Sequence, residues 1–479
     1  MPRYVLINRR AGKFTTEEKH ASRAAVATAL AHFDGSAKIV ADKDPEDSLA
    51  RRVVIFDVDA STVANLQKSL GPEAILEPLI RRSLHRRVPV GWKPALPMAV
   101  PAAAIAGSSY RVTITGAGQP LASIQVMFYL RDAAGQVKIT TVNTDKNGAA
   151  KLSVPNGHQI ALVEPIPYAG FWIMLEEVPP TGSTIDCLAI AKSGTGGAGW
   201  WHTAMGIDIK DASRGSGVKV GVIDTGCGPH PNLKHVKLVG AFVDGQSFPG
   251  TQASDVAEHG THTSGIVGAR PTKAGDYAGV AAGSDLFHAR VFKSEEEGPT
   301  QADLINAIDA LSRDNNCDLI NMSLGGGPPS QGEEDCIRDA AERGTLCICS
   351  AGNENGPIDY PGAYPECSAV SAIGLIGWAP TGTFSASNRP QDSSKMGQKN
   401  YFLAAFSCFG PTLACSAPGV GIVSTVPDTN GASGVYMEMD GTSMASPAAC
   451  GTLAVVLSQD AQYESLPRDA YARRLHVPC

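Results

Sequence analysis

The sequence has 479 residues, 43% of them hydrophobic, and its 40 basic and 47 acidic side chains give a formal net charge of −7. This mild acidity disfavours a nucleic-acid-binding protein, which needs a basic face. The sequence contains no run of about 18 apolar residues, so it predicts no membrane-spanning helix. The N-terminus carries no apolar stretch of signal-peptide length, so we expect a cytoplasmic protein, with secretion by another route as the alternative. The 11 cysteines form no Cys-x-x-Cys pair, and we expect most of them to be free thiols.

The first 80 residues predict a small α+β unit. Its apolar and Ala-rich runs predict, in chain order, strand 4–7, helix 16–32, strands 38–40 and 53–56, helix 62–70 and strand 74–79. This β-α-β-β-α-β order is that of a ferredoxin-like unit. The basic cluster Arg81–Arg87 follows directly, and on composition alone such a cluster indicates a solvated linker. We therefore place the first boundary at residue 87.

The middle of the chain predicts a second small domain between two linkers. Residues 88–106 are rich in Pro and Ala and predict a linker. Residues 107–180 contain short β-type runs with turn signals between them and predict a β-sandwich. Through Gly118–Ala122 and Thr144–Gly148, this domain resembles the transthyretin-like domain found beside some carboxypeptidases. Residues 181–199 are rich in Gly, Ser and Thr and predict a second linker.

Residues 200–479 predict the largest domain. Apolar strands alternate with helices, in the order strand 218–223, helix 259–269, strand 285–291, helix 301–313, strand 319–322, helix 333–343 and strands 346–350 and 369–373. Such alternation is typical of an α/β fold, a parallel sheet with helices on both faces.

Four segments of this domain carry candidate chemistry. Asp224 ends an apolar strand before a Gly turn, His259 begins a helix, and Asn353 follows a strand that ends in a Gly turn. Taken singly, each has a structural explanation as a turn former or a buried helix residue. Ser443 precedes the apolar segment 448–457, and a serine at a helix start can present its hydroxyl while its own N–H points at the group attacked. An unaided serine is a weak nucleophile, so this interpretation requires a base.

Together the four segments resemble those of subtilisin-like serine proteases, in the chain order Asp, His, Ser. The resemblance implies a serine endopeptidase that cleaves a polypeptide substrate through an acyl-enzyme. It implies that Ser443 is the nucleophile, His259 its general base and Asp224 the residue that orients the imidazole. Asn353 and the Ser443 N–H would form the oxyanion hole. A serine hydrolase of esters is disfavoured, because no Gly-x-Ser-x-Gly elbow surrounds Ser443.

The same resemblance implies a substrate-binding surface. Ser323, Leu324 and Gly325 would pair with the substrate backbone and wall the first specificity pocket, and Ala351 and Gly352 would also bind the substrate.

Asp359 precedes Tyr360-Pro361-Gly362, where the resemblance places the floor of the first pocket. A carboxylate there would favour Arg or Lys before the cleaved bond. The alternative is a solvated loop acid.

The resemblance predicts no required cofactor and no definite metal site. Asn232 stands where the family commonly has a calcium-binding acid, and the second calcium loop aligns poorly with Arg270–Tyr277. Calcium binding therefore stays an open alternative, since a carbonyl oxygen can replace a missing acid. Residues 377–405 are an apparent insertion, which we expect to form a surface loop.

The resemblance also reinterprets residues 1–87 as a prodomain, a folding helper and intramolecular inhibitor. Arg82, Arg86 and Arg87 would then lie where its tail crosses the catalytic cleft, as a self-cleavage or inhibitory segment. The rival hypothesis is a non-catalytic binding or scaffold protein of the same fold, whose site is permanently occluded.

Overall fold

The computed structural model of the protein describes residues 1–10, 16–31, 33, 37–45, 50–84, 109–190, 197–428 and 435–460. Arg86, Arg87 and the predicted linker 88–106 lie outside these residues. Within the described ranges, no helix combines the length and the apolar character that crossing a membrane requires.

The N-terminal unit is one antiparallel sheet with two helices. Its elements are β1 (Arg3–Asn8), α1 (Thr16–Ala31), β2 (Ala37–Lys43), β3 (Val53–Val58), α2 (Ala60–Ser69) and β4 (Ala74–Pro78). The strand order is β2-β3-β1-β4 with every neighbouring pair antiparallel, and the element order is that of a ferredoxin-like unit.

Both faces of this small sheet are buried, which explains why its central strands are continuously apolar. Leu6 and Phe56 point to the core beneath the unit's own helices. Their neighbours Ile7 and Ile55 point the other way and join the core of the large C-terminal domain. The unit therefore packs onto that domain through one whole sheet face.

The middle domain is a β-sandwich of eight short strands. They are β5 (Ser109–Gly116), β6 (Gln119–Pro120), β7 (Gln125–Asp132), β8 (Val137–Asn143), β9 (Ala149–Ser153), β10 (His158–Ile166), β11 (Glu176–Glu177) and β12 (Thr184–Cys187). One sheet has the order β11-β10-β7-β8, and the other has the order β12-β5-β6 with β9 also on β5. β12 lies in the range predicted as a linker, and that part of the prediction is wrong. The Gly, Ser and Thr content concealed an alternation in which Ile185 and Cys187 are buried.

The C-terminal domain contains the remaining elements. They are α3 (Trp200–Ala204), β13 (Lys219–Asp224), β14 (Lys237–Val243), β15 (Gln246–Pro249), α4 (His259–Gly268), β16 (Asp285–Arg290), α5 (Gln301–Asp309), β17 (Leu319–Met322), α6 (Gln331–Glu342), β18 (Leu346–Ser350), β19 (Cys367–Leu375), α7 (Phe384–Ser387), β20 (Tyr401–Leu403), β21 (Leu413–Pro418), β22 (Ile422–Thr425), β23 (Tyr436–Met439) and α8 (Thr442–Gln459).

The predicted parallel sheet with helices on both faces is confirmed. Nine strands follow the order β15-β14-β16-β13-β17-β18-β19-β20, with β21 also on β19, and β15 and β20 join antiparallel. α4 and α8 cover one face, where Ile266 and Ala448 enter the core. α5 and α6 cover the other face through Ile305 and Ile337. β22 and β23 form a separate hairpin.

The segment 377–405 is not the surface loop that we expected. It contains α7 and β20, and Phe384 and Asn388 within it are buried. The Phe384 N–H donates to the Ile173 carbonyl at 2.9 Å, and the Leu175 N–H donates to the Gly382 carbonyl at 2.7 Å. The insertion therefore carries part of the contact between the C-terminal domain and the β-sandwich, beside Tyr436, whose carbonyl accepts the Gly170 N–H at 2.7 Å.

Candidate active site

The ends of three elements meet at one edge of the large sheet. Asp224 is the last residue of β13, His259 is the first residue of α4, and Ser443 is in the first turn of α8. Sites in parallel sheets form at the carboxyl ends of the strands, where helices begin. The fold thus positions the three side chains that the sequence predicted as a group.

Asp224 and His259 are in direct contact. Nδ1 of His259 lies 2.7 Å from Oδ1 of Asp224, whose side chain is fully buried. The Thr225 N–H and the Thr263 hydroxyl also donate to this carboxylate, at 2.7 and 3.1 Å. Because a carboxylate only accepts, Nδ1 carries the proton and Nε2 is left as the acceptor. Nε2 is buried and has no hydrogen-bond partner among the described residues.

The pair stabilises a charged imidazole. Burial alone lowers the pKa of His259, but the charge and hydrogen bond of Asp224 outweigh burial and raise the pKa above its ordinary value. Burial likewise raises the pKa of Asp224, and His259 outweighs burial and lowers the pKa. The site therefore favours a proton on His259 beside an ionised Asp224.

Ser443 is held by Ser323 through two hydrogen bonds. Pro447 has no N–H, so the Ser443 carbonyl lacks its partner in the helix and accepts the Ser323 hydroxyl at 2.8 Å. The Ser443 hydroxyl donates to the Ser323 carbonyl at 3.2 Å. In this arrangement Ser443 does not donate to His259, so proton transfer to Nε2 requires the hydroxyl to turn away from Ser323.

Asn353 lies beside the N–H of Ser443. Its Oδ1 accepts the N–H and the hydroxyl of Thr442, at 3.0 and 2.9 Å, which fixes Nδ2 as the donor end of the amide. A Cβ built on Gly441 would lie 3.3 Å from Nδ2 of Asn353 and 3.4 Å from the backbone nitrogen of Ser443. Two donors thus border one small space. Thr442 was not predicted to have a role, although it directly precedes Ser443.

The predicted substrate strand is already paired. Gly325 and Ser83 exchange two backbone hydrogen bonds, of 2.9 and 3.1 Å, and the Arg82 N–H donates to the Pro299 carbonyl at 2.8 Å. The tail of the N-terminal unit, residues 80–84, therefore lies as a strand between 298–300 and 324–325. A Cβ at Gly298 would stand 2.0 Å from the Arg82 carbonyl oxygen, so this approach requires glycine.

Arg82 belongs to the predicted processing segment, and its side chain is buried. It pairs with Glu333, and its Nη1 donates to the Pro328 carbonyl at 2.8 Å. Neither partner belongs to the Asp-His-Ser group, so these contacts place the Arg82 head in a pocket of its own.

The other predicted pocket residues lie together. The Asp359 N–H donates to the Ala351 carbonyl at 2.9 Å. A Cβ at Gly352 would meet Oδ2 of Asp359 at 2.6 Å and Oε2 of Glu354 at 2.9 Å. Two carboxylates therefore lie against Gly352, one residue before Asn353. Glu354 was not predicted, because an acid after a Gly-Asn turn gives no local signal of its own.

The residues near Asn232 do not fit a calcium site. Nδ2 of Asn232 donates to Oδ2 of Asp276 at 3.2 Å, and Thr272 and Lys273 donate to the same oxygen. Four N–H and O–H donors thus converge on one oxygen of the Asp276 carboxylate, and Oδ1 of Asn232 is a buried oxygen without a hydrogen-bond partner within the described ranges, whereas calcium requires about six to eight oxygen ligands. In the part of the chain that the structure describes, no group of three or more His, Cys, Asp or Glu could hold a metal ion.

Comparison with known proteins gives matches over the C-terminal domain. The sequence model of the Subtilase family matches residues 215–472. Subtilisin Savinase of Lederbergia lenta is 32% identical over 253 residues, which are 53% of this chain and 80% of that protein. Subtilisin DY of Bacillus licheniformis is 33% identical over 268 residues, 55% of this chain and 83% of that protein. The major intracellular serine protease of Bacillus subtilis is 30% identical over 255 residues, 52% of this chain and 70% of that protein. The crystal structure of a cold adapted subtilisin-like serine proteinase has 26% identity and a TM-score of 0.39, over 52% of this chain and 77% of that chain.

Proposed function

Because this chain belongs to the subtilase family and is a serine endopeptidase, we propose that Asp224, His259 and Ser443 are its catalytic triad and that its own N-terminal unit inhibits it. The observation that carries the proposal is the tail strand, which lies on Gly325, predicted above to bind substrate, while Asp224 and His259 are in contact.

Each triad residue has one task in the proposed reaction. The Ser443 hydroxyl attacks the scissile carbonyl carbon while Nε2 of His259 takes its proton, and Asp224 stabilises the imidazolium. His259 then gives that proton to the leaving amine as the C–N bond breaks, which leaves an acyl-enzyme. Water attacks the acyl-enzyme with His259 again as the base, and Ser443 regains its proton.

Asn353 and Ser443 supply the proposed oxyanion hole. The tetrahedral intermediate carries a negative oxygen, which would accept Nδ2–H of Asn353 and the Ser443 N–H. Thr442 fixes the Asn353 amide before substrate arrives, so little reorganisation is needed during the reaction. Removing one such donor costs about 10²–10³ in kcat.

The proposed inhibition is competitive and intramolecular. A substrate that pairs with Gly325 needs the same N–H and carbonyl that Ser83 uses. Glu77 adds a second anchor, because its carboxylate accepts the N–H groups of Gln331 and Gly332 and the Ser330 hydroxyl at the start of α6. An acid at a helix N-terminus satisfies donors that the helix itself cannot.

We propose that the first pocket prefers Arg or Lys before the cleaved bond. Asp359 and Glu354 place two carboxylates against Gly352, and a cationic side chain would pair with them. Peptides that differ only by Arg or Phe at this position test the preference. Asp359→Asn should reduce the Arg-to-Phe ratio of kcat/KM, and equal rates for both peptides in the unmodified enzyme would refute the preference.

Fluorophosphonate labelling of the full chain tests the triad. We expect one label on the unmodified protein and none on Ser443→Ala. Absence of a label on the unmodified protein, both before and after limited proteolysis, would support the occluded scaffold instead.

We also propose that the chain cuts itself in the segment that holds Arg86 and Arg87. Intact-mass spectrometry should then find a cleavage shortly after residue 84 in the unmodified protein and an uncut chain in Ser443→Ala. An uncut, fully active chain in the unmodified protein would refute self-cleavage.

A further inference from the structure

The pocket that holds the Arg82 side chain belongs to the catalytic domain. Glu333 lies in the first turn of α6, Tyr364 follows β18, and the carbonyls of Gly326 and Pro328 lie between β17 and α6. The side chains of Arg82 and Glu333 are both 0% exposed. The pocket is therefore a closed socket into which the N-terminal unit inserts one side chain.

The socket matches the shape of a guanidinium. Nε and Nη2 of Arg82 donate to the two carboxylate oxygens of Glu333, and Nη1 donates to the carbonyls of Gly326 and Pro328. Nη2 also lies 3.4 Å from the Tyr364 hydroxyl. Paired donors on one carboxylate with further carbonyls around them suit a planar arginine head better than a lysine ammonium.

The catalytic domain itself supports this socket. The Tyr364 hydroxyl lies 3.0 Å from Oε2 of Glu333, and the Ser330 N–H donates to that hydroxyl at 2.7 Å. The Glu333 N–H donates to the Ser330 hydroxyl at 3.1 Å. These contacts do not involve the tail, so the socket keeps its form when the tail leaves. An arginine returned to this socket pairs with a carboxylate in a nearly closed space, where a neutral side chain would leave the charge unpaired and costly, so the socket favours another cation in place of Arg82.

The direction of the tail locates this socket relative to the cleaved bond. Ser83 pairs antiparallel with Gly325, so the tail runs toward Ser323, whose carbonyl accepts the Ser443 hydroxyl. In an antiparallel pair each step forward on one strand is a step back on the other. In a substrate bound in this register, the residue opposite Gly325 directly follows the arginine, and the residue two positions later lies opposite Ser323. If the bond after that residue is the one that Ser443 attacks, the arginine is the fourth residue before the cleaved bond.

We propose that the Glu333 socket is a substrate subsite that selects an arginine at the fourth position before the cleaved bond. This inference rests on the proposed function, because it assumes that substrates bind along Gly325 as the tail does. It is separate from the Asp359 pocket, which would contact the residue directly before the bond. Arg82 of the chain then occupies the subsite that a substrate arginine would occupy.

Competition between two quenched peptides tests the socket in the full chain. The peptides differ only in arginine or citrulline at the fourth position before the bond, and citrulline has nearly the shape of arginine without its charge. Both are cleaved in one tube, so the ratio of their kcat/KM values does not depend on how much enzyme is uncovered. We expect a preference for arginine on the order of 100-fold, and a ratio near one would overturn the proposal.

Two matched variants identify the residue responsible. Glu333→Gln keeps the volume of the side chain but removes its charge. We expect the ratio of kcat/KM for the arginine peptide to that for the citrulline peptide to fall to about three or less. Glu334→Gln is the control, because Glu334 is the next residue of α6 and pairs with Arg338. An unchanged preference in Glu333→Gln, or an equal loss in Glu334→Gln, would contradict the assignment.

Labelling of Ser443 separates the two possible failures. If Ser443 is labelled and both peptides are cleaved equally, the socket proposal fails and the protease proposal stands. If Ser443 is not labelled and neither peptide is cleaved, the proposed function fails and the socket proposal fails with it.

Discussion

His259 depends on Asp224 for its tautomer and for its basicity. The 2.7 Å contact keeps the proton on Nδ1, so that Nε2 can accept the proton of Ser443. The same carboxylate raises the pKa of the imidazole although burial opposes this. A single side chain thus makes His259 a stronger base and leaves Nε2 as its accepting nitrogen, as the proposed mechanism requires.

This pair predicts the pH dependence of cleavage. A general base must be neutral to accept a proton, so kcat/KM should rise with pH through a pKa above 6.5, the ordinary value for histidine. Asp224→Asn removes the charge that raises the pKa, and the rise should move to lower pH while the rate falls by about 10⁴. Rates measured from pH 5 to pH 9 test both statements. An unshifted rise in Asp224→Asn would contradict the role of Asp224.

Thr442 provides a second prediction for single residues. Thr442→Val removes the hydroxyl that donates to Asn353 and accepts the Gly352 N–H. We expect kcat to fall by about tenfold with little change in KM, because a loosened amide weakens binding of the transition state alone. Thr442→Ser keeps the hydroxyl and should retain most activity. In an Asn353→Ala background, Thr442→Val should lower kcat by almost nothing further. The same tenfold loss of kcat in both backgrounds would contradict the coupling of Thr442 to Asn353.

At the scale of elements, α6 and the extended segment 298–300 jointly hold the tail in place. α6 supplies its N-terminus to Glu77 and its first turn to Arg82, and the segment 298–300 supplies the edge on which Arg82 lies. Gly298 makes that edge accessible, since any larger residue would meet the tail backbone. A substrate strand bound along Gly325, as we propose, would therefore pass through the same narrow channel as the tail.

Gly298→Ala should have opposite effects on two measurements. A methyl group at this position obstructs any strand in the channel, so we expect slower peptide cleavage. It also obstructs the tail, so a small fluorophosphonate should label Ser443 faster. Gly356→Ala is the control, because the nearest atom to its Cβ would be 3.9 Å away. Parallel changes in cleavage and labelling would contradict the shared channel.

At the scale of the whole molecule, a second buried arginine, besides Arg82, joins the N-terminal unit to the catalytic domain. Arg51 has a fully buried side chain and donates to Asp309 and Asp335 at 3.0 Å and to Asp339 at 3.4 Å. Burial raises the pKa of Asp309, but Arg51 outweighs burial and lowers the pKa. The stabilisation of docking by the Arg51–Asp309 pair is therefore present above the ordinary carboxyl pKa. It is lost only as the pH falls toward the lowered pKa of Asp309.

The sequence predicted the catalytic sheet and the candidate triad because their signals are local. Apolar strands ending in Gly turns predict a parallel sheet, and the segments around Asp224, His259 and Ser443 are long enough to be specific. The socket for Arg82 could not be predicted, because Glu333 is 251 residues away and has the local pattern of an ordinary acid at a helix start. The docking of 377–405 was missed for the same reason, since its buried residues meet a partner surface that is distant in sequence.

Labelling of Arg51→Met tests most directly whether the N-terminal unit covers a working site. Removal of one partner from a buried ion pair costs about 3–5 kcal/mol, so the unit should undock and uncover Ser443. Arg52→Met is the control, because Arg52 pairs with Asp42 and Asp44 inside the N-terminal unit. We predict that a fluorophosphonate labels Ser443 at least about tenfold faster in Arg51→Met than in Arg52→Met or the unmodified chain. Equal labelling rates in all three proteins would contradict the account.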